Sequence, residues 1–320
     1  MRESSPYLVT IAIPAFKAKY LREAISSALN QTYKNIEVIV VDDKSPEDLK
    51  PIVLSFKDPR LRYFANEENL GGHNIVLNWN RCLSFANGDF FCLLCDDDIY
   101  EPDFIAEMLS FVEKYPQVKV FRSRVKMIDG GGNLVDYYPT SPEFETMVDY
   151  AFHKEKNLRQ QTVSEFMLRT SHIRELGGYV QMPVGWESDV ASIYIFGEKD
   201  GIVSSSKSLV AFRQSGINIS TNGYFMIEKM AALNQFSRII NGLLGNNCDD
   251  HRYSELILRW RKIKVDQLKF EYLRNSSWRD IHYFWKNRTS SEVQIVSNVF
   301  GLALIYRMGY AVINGVRRLF

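Results

Sequence analysis

Short apolar runs alternate with segments of helical spacing through the first part of the chain. Unbroken apolar and β-branched runs are typical of strands that are buried on both faces of a sheet. Between the runs, apolar residues recur three and four positions apart, which is typical of helices buried along one side. The pattern predicts strands at Leu8–Ile13, Asn35–Val41, Leu61–Phe64, Asp89–Cys95 and Val118–Arg122, and helices at Tyr20–Leu29, Asp48–Phe56, Ile75–Ala86 and Pro102–Lys114.

The alternation of strand and helix predicts an α/β fold, with a mostly parallel, Rossmann-like sheet flanked by helices. Ligands of such sheets bind outside the carboxyl ends of the strands. Three of the predicted strands end in a loop-forming or acidic cluster, namely Pro14-Ala15-Phe16, Asp42-Asp43 and Asp96-Asp97-Asp98. We therefore expect the three clusters to line one pocket at the same edge of the sheet.

The pattern changes after these strands. Residues 130–160 begin with three glycines and show little periodicity, which predicts a mobile connection that closes over a substrate. Trp186–Phe196 has helical spacing, with Glu187 and Asp189 at its start, and the sequence from residue 224 onward is rich in helical segments. We expect an α/β domain over residues 1–222 and a helical C-terminal region over residues 223–320.

Two long stretches resemble signatures of glycosyltransferase family 2, whose members have a GT-A fold. They are TIAIPAFKAKYLREAISSALNQTYKNIEVIVVDDKSPED and NEENLGGHNIVLNWNRCLSFANGDFFCLLCDDDIYEPDFI, and shorter similarities follow in ELGGYV, GWESDVASIY and FRQSGINIS. The resemblance implies an inverting glycosyltransferase that moves a sugar from a nucleotide-sugar donor, UDP-type favoured, to a hydroxyl acceptor. It also implies a glycan or lipid-linked acceptor in the synthesis of a bacterial surface polysaccharide.

The resemblance implies that the first two clusters bind the nucleotide. Phe16, which follows Pro14 and Ala15, would stack on the base, and Asp43 would accept a hydrogen bond from its ring N–H, with Asp42 beside it. A carboxylate suits this task because it accepts strongly from the single imide donor of uracil. The alternative is that Asp42 and Asp43 only cap a strand-to-helix loop.

Four further residues complete the implied nucleotide site. Gly72 would let the backbone approach the nucleotide, and Asp96 would lie near the ribose. Asn80 is at a position that resembles a frequent asparagine of the family, and it could equally be an exposed polar residue of a helix. Arg213, in FRQSGINIS, fits the family's late arginine motif and would bind a phosphate; the alternative is a surface ion pair.

The third cluster resembles the acidic motif that holds a divalent cation, Mn²⁺ or Mg²⁺, in the family. Both ions prefer oxygen ligands and neutralise the charge of a leaving diphosphate. When the cluster is aligned on the following Ile99-Tyr100, Cys95 occupies the place of the motif's first acid. The alignment therefore makes Asp97 the first candidate for the metal ligand and Asp98 the second.

An inverting transfer needs a base that deprotonates the acceptor hydroxyl. The resemblance places this acid near the start of a helix that follows a Gly-Gly turn, which leaves Glu187 and Asp189 as candidates. Glu187 aligns better with the family's base, and Asp189 is its rival. In the alternative interpretation, either acid is an N-terminal helix charge stabilised by the helix dipole.

The composition is that of an ordinary folded protein, with 46% apolar and 24% charged residues. The formal net charge of +1 hides an asymmetry, because the chain from His251 onward has 13 Lys and Arg against 5 Asp and Glu. The same segment is rich in aromatic residues and contains the largely apolar stretch Val293–Val316. We expect a helix lying in an anionic membrane surface rather than crossing it, because Arg307 interrupts the stretch. The alternative is packing on the catalytic domain or on a second subunit of a homo-oligomer.

These features predict a cytoplasmic enzyme held at the inner face of the cell membrane. The N-terminus shows no secretory signal, and Cys92 and Cys95 lack the second pair that a zinc site needs, so we expect free thiols. No nucleic-acid-binding signature accompanies the basic charge, so no nucleic acid partner is expected. Two other functions remain open: a sugar-nucleotide nucleotidyltransferase, although IPAFKAKY is not its Gly-rich loop, and a non-catalytic scaffold subunit of a polysaccharide assembly complex.

Overall fold

The computed structural model describes residues 7–72, 74–214, 226–248 and 250–275 of the 320-residue chain. Within them the strands are β1 (Val9–Ala15), β2 (Ile36–Asp42), β3 (Leu61–Ala65), β4 (Phe90–Leu93), β5 (Ile99–Tyr100), β6 (Val120–Asp129), β7 (Leu134–Tyr137), β8 (Phe144–Glu145), β9 (Phe166–Arg169) and β10 (Ile202–Gln214). The helices are α1 (Leu21–Leu29), α2 (Lys50–Leu54), α3 (Ile75–Phe85), α4 (Phe104–Lys114), α5 (Met147–Glu155), α6 (Thr170–Glu175), α7 (Ser188–Phe196), α8 (Met226–Asn247) and α9 (His251–Asn275).

All these strands belong to one sheet with the order β3-β2-β1-β4-β9-β6-β10-β5, to which β7 and β8 add at β6 and β10. The pairs β1–β2, β2–β3, β1–β4 and β6–β10 are parallel, and β9 runs antiparallel between β4 and β6. The predicted mostly parallel sheet flanked by helices is therefore confirmed. The parallel strands β1, β2 and β4 have their carboxyl ends at one edge, where the sequence predicts the three polar clusters.

The burial of β2 and α1 explains why the hydrophobic pattern predicts these elements. All seven residues of β2 are buried, as are the five residues of α1 that recur at helical spacing. These side chains fill one core on each face of the sheet. The helix predicted at Asp48–Phe56 is only the short α2, which has a proline in its first turn.

The segment over residues 130–160, for which a mobile connection is predicted, contains β7, β8 and α5. Its mobility and its closure over a substrate stay predictions. Thr146 caps α5 by accepting a hydrogen bond from the backbone N–H of Asp149 at 3.1 Å. The buried residues of α5 are Met147, Val148, Tyr150, Ala151 and Glu155, so the helix is held by the core rather than lying over it.

The described part of the helical C-terminal region packs on the α/β domain. Buried residues of α8 and α9, among them Phe236 and Ile257, belong to the same core cluster as residues of α5 and α7. The ring of Phe236 lies 5.3 Å from that of Tyr194 in α7. Among the described residues, no helix is both long and apolar enough to traverse a bilayer. The stretch Val293–Val316 lies outside the described residues.

Candidate active site

The carboxyl ends of β1, β2 and β4 bring the three predicted clusters together. Ala15 pairs with Asp42 at the ends of β1 and β2, and the backbone N–H of Asp43 donates to the carbonyl of Ala15 at 2.9 Å. In the loop after β4, Asp96 Oδ2 accepts from the backbone N–H groups of Phe16 and Lys17, both at 2.8 Å. The expected convergence at one edge of the sheet is thus present in the structure.

The three residues of the first cluster differ in their exposure to solvent. Ala15 is fully buried and Pro14 is partly buried, since both are part of β1. Phe16 follows the strand, and 37% of its surface is exposed. An exposed ring at this edge of the sheet can stack on a planar ligand, whereas Pro14 and Ala15 lie within the strand.

Asp43 holds the loop that follows β3. Its Oδ1 accepts from the side-chain amide of Asn66 at 2.8 Å and from the N–H of Leu70 at 3.0 Å, and its Oδ2 accepts from the N–H of Gly71 at 2.7 Å. Asn66 also donates to Asn78 of α3 at 3.0 Å. A Cβ at Gly71 would lie 2.6 Å from Asp43 Oδ2, so this approach requires a glycine. The sequence did not single out Asn66 or Asn78, whose only signal is the asparagine-rich segment around them.

Asp42 and Gly72 lie at the same edge of the sheet and make hydrogen bonds within the protein. Asp42 accepts from the backbone N–H of Ser45 at 2.8 Å and from the hydroxyl of Tyr63 at 2.7 Å. The first of these is the loop-capping contact of the alternative interpretation. The N–H of Gly72 donates to Asn69 Oδ1 at 2.6 Å, which closes a tight turn. Nucleotide binding by Asp42 and Gly72 stays a prediction.

The carboxylates of Asp97 and Asp98 have different surroundings. Asp98 is buried and accepts from Ser164 Oγ at 2.6 Å and from the backbone N–H of Arg213 at 3.0 Å. Burial, assisted by the charge of Asp97, raises the pKa of Asp98 to about 7. Burial also raises the pKa of Asp97, whose Oδ2 lies 3.9 Å from Lys17 Nζ, beyond hydrogen-bond distance. Protein donors therefore occupy both oxygens of Asp98.

These contacts decide how a divalent cation would fit. In the described part of the chain, no group of three or more His, Cys, Asp or Glu side chains is arranged to hold an ion. Mg²⁺, however, is often bound by one or two carboxylates together with the phosphates of a substrate. Asp97 fits such a site because Lys17 Nζ stays 3.9 Å from its Oδ2, whereas both oxygens of Asp98 accept hydrogen bonds. The cysteines are free, as expected.

Arg213 lies beneath the acidic loop. It is 1% exposed, its Nε donates to the carbonyl of Asp97 at 2.9 Å, and its Nη2 pairs with Glu23 of α1 at 2.6 Å. Its guanidinium also lies over the ring of Tyr20, 4.2 Å from the centroid. The alternative of an ion pair is present in part: Glu23 is more than half exposed, whereas Arg213 is buried and ties the loop to α1. Phosphate binding by Arg213 stays a prediction.

Asn80 has a role that the sequence did not suggest. Its Oδ1 accepts from the backbone N–H of Tyr179 at 2.8 Å, and its Nδ2 donates to the carbonyl of the same residue at 3.0 Å. A Cβ at Gly178, whose φ is +86°, would lie 2.4 Å from Asn80 Oδ1. Asn80 is half-buried rather than exposed, and it fastens α3 to the turn that leads towards α7.

Glu187 and Asp189 lie at the start of α7 in different environments. Glu187 is the N-cap residue, with a φ of +60°, and its Oε2 lies 3.3 Å from Arg261 Nη1 of α9. Asp189 is in the first turn, and its Oδ2 is 3.4 Å from the side-chain amide of Gln161. Burial raises the pKa of Asp189, and the positive charge of Lys154 on α5 opposes this shift.

The fold and this edge define an α/β protein with a ligand site at the carboxyl ends of parallel strands. The family model described as glycosyl transferase family 2 matches residues 10–175, which is more than half of the chain. The chain therefore belongs to glycosyltransferase family 2, a family of sugar-transferring enzymes. The family that the sequence motifs resembled is confirmed.

Curated relatives carry the same description. A glycosyltransferase of Rickettsia typhi is 37% identical over 150 residues, which are 47% of this chain and 43% of the relative. WfgD of Escherichia coli, a UDP-Glc:α-D-GlcNAc-diphosphoundecaprenol β-1,3-glucosyltransferase, is 35% identical over 109 residues, which are 34% of this chain and 42% of WfgD. The chain thus spans less than half the length of these relatives.

A solved structure has a similar fold. S. aureus TarS 1-349, crystallised in complex with UDP-GlcNAc, superposes with a TM-score of 0.65 at 16% identity, covering 94% of this chain and 92% of TarS 1-349. This likeness concerns the fold. It confirms the predicted GT-A fold with a helical C-terminal part.

Proposed function

We propose that the chain is an inverting glycosyltransferase that moves a sugar from a UDP-type nucleotide-sugar donor to a hydroxyl acceptor. The observation that carries this proposal is the meeting of Phe16, Asp43 and the Asp96-Asp97-Asp98 loop at one edge of the sheet. The UDP donor in the name of WfgD and the UDP-GlcNAc in the TarS complex support the donor class. We call this edge the donor side.

On the donor side, Phe16 stacks on the uracil and Asp43 accepts the hydrogen bond of its imide N–H. An ionised carboxylate offers about four lone-pair positions, and three contacts of Asp43 are already made by Asn66, Leu70 and Gly71. One position therefore remains for the base. The three existing contacts keep the carboxylate oriented before the nucleotide arrives, so binding does not have to order it.

Asp97 would hold a divalent cation, Mn²⁺ or Mg²⁺, together with the diphosphate of the donor. When bound, the cation would neutralise negative charge on the leaving nucleoside diphosphate. Asp98 keeps the loop in place through Ser164 and Arg213, and Asp96 does so through the backbone of Phe16 and Lys17. Asp97 is thus the acid of the cluster that is left to face the donor.

Asp189 is the general base, in preference to Glu187. A base is most effective when its pKa approaches the working pH, and burial shifts the pKa of Asp189 in that direction. Glu187 is held by its ion pair with Arg261, which occupies one of its carboxylate oxygens. Asp189 takes the proton of the acceptor hydroxyl while that oxygen bonds to the anomeric carbon and the bond to the diphosphate breaks. Attack opposite the leaving group inverts the anomeric centre.

The acceptor is a glycan or a lipid-linked sugar in the synthesis of a surface polysaccharide, at the inner face of the membrane. The diphosphoundecaprenol-linked acceptor named for WfgD supports this class, as does the basic and aromatic composition from His251 onward. The nucleotidyltransferase alternative loses its basis because the chain belongs to family 2. A non-catalytic scaffold is the alternative that the following experiment separates.

The test is thermal unfolding with UDP-glucose, UDP-N-acetylglucosamine, GDP-mannose and dTDP-glucose, each with and without Mn²⁺. A UDP-sugar is expected to raise the unfolding temperature, and to do so more strongly with Mn²⁺, because only the folded chain binds it. Asp97→Asn should lose the Mn²⁺ dependence, whereas Glu113→Gln, at an exposed position of α4, should keep it. Stabilisation by none of the sugars would overturn the donor site. UDP release at the rate of a blank, despite binding, would favour the scaffold.

A further inference from the structure

The loop of residues 181–187, directly before α7, has a strained backbone. Val184 and Glu187 have φ values of +50° and +60°, in the left-handed region that side chains other than glycine rarely adopt, and Gly185 between them has +69°. Residues in such conformations persist only where the surrounding structure holds them. Asp189 follows two residues after Glu187, so whatever holds this loop also sets the position of Asp189.

Helix α8 contacts the 181–187 loop from the C-terminal region. The ammonium group of Lys229 lies 4.5 Å from the centroid of the Trp186 ring. The side-chain amide of Gln235 donates to the carbonyl of Gln181 at 3.4 Å. The two contacts reach opposite ends of the loop, so α8 runs along it.

Helix α9 contributes a buried guanidinium. Arg261 is 2% exposed, and its Nη1 lies 3.3 Å from Oε2 of Glu187 and 3.5 Å from Oε2 of Glu155. Its Nη2 donates to the carbonyl of Leu233 at 3.0 Å, and its Nε donates to the hydroxyl of Ser237 at 3.3 Å. The fork of a single guanidinium therefore meets two carboxylates and two groups of α8.

Glu155 extends these contacts back to α7. Its Oε1 accepts from the hydroxyl of Tyr194 at 3.4 Å. The Arg261 guanidinium also lies over the ring of Phe236, 4.4 Å from the centroid. Arg261 is thus the point at which α5, α7 and α8 are joined, and a buried charge with this many partners fixes its neighbours strongly.

We infer that Arg261 is a positioning residue for the transfer reaction: from the C-terminal region it holds Glu187 and thereby sets Asp189 against the acceptor. The inference rests on the role of Asp189 in the proposed function. A planar guanidinium can serve both carboxylates and the Leu233 carbonyl at once, which an ammonium group cannot do with the same geometry. The C-terminal region therefore takes part in catalysis.

The experiment compares Arg261→Met with Arg259→Met, an exposed arginine two residues earlier on the same helix. Release of UDP from UDP-glucose and UDP-N-acetylglucosamine is measured with Mn²⁺ and with water as the acceptor. Arg261→Met should lower kcat by about 10²-fold at an unchanged donor KM, the cost of misplacing a catalytic group by about 1 Å. Arg259→Met should change neither constant.

A double variant tests whether Arg261 acts through Glu187. If it does, Arg261→Met should cause little further loss of kcat in a Glu187→Gln background, because the negative charge with which Arg261 pairs is already gone. Losses that multiply would overturn the inference, as would a folded Arg261→Met with the kcat of the wild type or with only a raised KM. If Arg261→Met fails to fold, Arg261→Lys carries the same comparison, since it keeps a buried positive charge.

An activity-independent measurement separates this inference from the proposed function. If the wild type releases no UDP from either sugar, the proposed function fails, while hydrogen exchange still tests Arg261. Amides of residues 181–190 should exchange faster in Arg261→Met than in Arg259→Met, because the strained loop has lost its support. Equal exchange in the two variants would show that Arg261 does not hold the loop.

Discussion

The donor side and the acceptor side of the site are built from contacts of different range. On the proposed donor side, Asp96 holds the loop that follows β1, and Asp43 holds the loop that follows β3 of the same sheet. On the proposed acceptor side, which comprises the 181–187 loop and Asp189, the contact between Glu187 and Arg261 joins residues 74 positions apart, and Arg261 is on a helix of the C-terminal region. The proposed nucleotide site is thus built mainly from loops of the sheet, whereas the proposed acceptor side depends on the packing of added helices.

The largest expected effect lies on the acceptor side. Asp189→Asn should lower the rate of sugar transfer by about 10²–10⁴-fold, the usual contribution of a general base. Glu187→Gln should cost less, because it disturbs Asp189 only through the loop. The rates are measured as UDP release, and the Mn²⁺-dependent thermal shift by UDP is the control that the donor side is intact.

A greater loss in Glu187→Gln than in Asp189→Asn would reverse the assignment of the base. If Asp189→Asn reduced UDP binding as much as the rate, the donor side and the acceptor side would not be supported separately. The two sides would then form one cooperative unit.

On the donor side, Gly71→Ala should weaken the binding of UDP by about tenfold or more, the effect of one lost hydrogen bond to a charged group. The added Cβ would meet Asp43 Oδ2 at 2.6 Å and push the loop away from the carboxylate. Isothermal titration with UDP and Mn²⁺ measures the change. Gly242→Ala on α8, where a Cβ meets nothing within 4 Å, is the matched control and should bind UDP normally.

The smallest expected effect is a shift of the pH profile. Because Asp189 must be ionised to act, activity should fall as the pH drops through its pKa, which burial raises from the ordinary value of an aspartate. Lys154 lowers that pKa, so Lys154→Met should move the acid limb of the kcat/KM profile to higher pH. Lys156→Met, beyond the end of the same helix, should leave the limb in place. A shift to lower pH in Lys154→Met would contradict Asp189 as the base.

The donor side could be predicted from the sequence because its information is local. Strands such as β2, buried on every residue, leave unbroken apolar runs, and the acids that follow them lie beside one another as soon as the strands pair. The contact of Asp43 with Asn66, and that of Asn66 with Asn78, were missed because amide side chains at a loop and on a helix look like solvent-exposed polar residues. The pairing of β2 with β3 brings Asn66 to Asp43.

The acceptor side could not be predicted in the same way. Helix α5 was missed because the glycines and prolines before it suggested a loop, whereas its own buried face spans little more than two turns. Arg261 belongs to a basic segment whose arginines cannot be told apart by sequence pattern. Its burial results from tertiary packing, which the pattern does not show. Asp189 is preferred to Glu187 as the base because Glu187 pairs with Arg261. The alignment favoured Glu187 because a sequence motif contains no information on this ion pair.

The ion pair between Arg261 and Glu187 also limits where this chain can be joined to a relative in a hybrid enzyme. A hybrid that keeps the first strands of this chain has to keep Ser164 and Arg213 as well, because both hydrogen-bond to Asp98 of the acidic loop. A junction between residues 187 and 261 would separate Glu187 from the helix that carries Arg261. A hybrid that keeps the Arg261–Glu187 ion pair therefore has to take the 181–187 loop and α9 from the same parent protein.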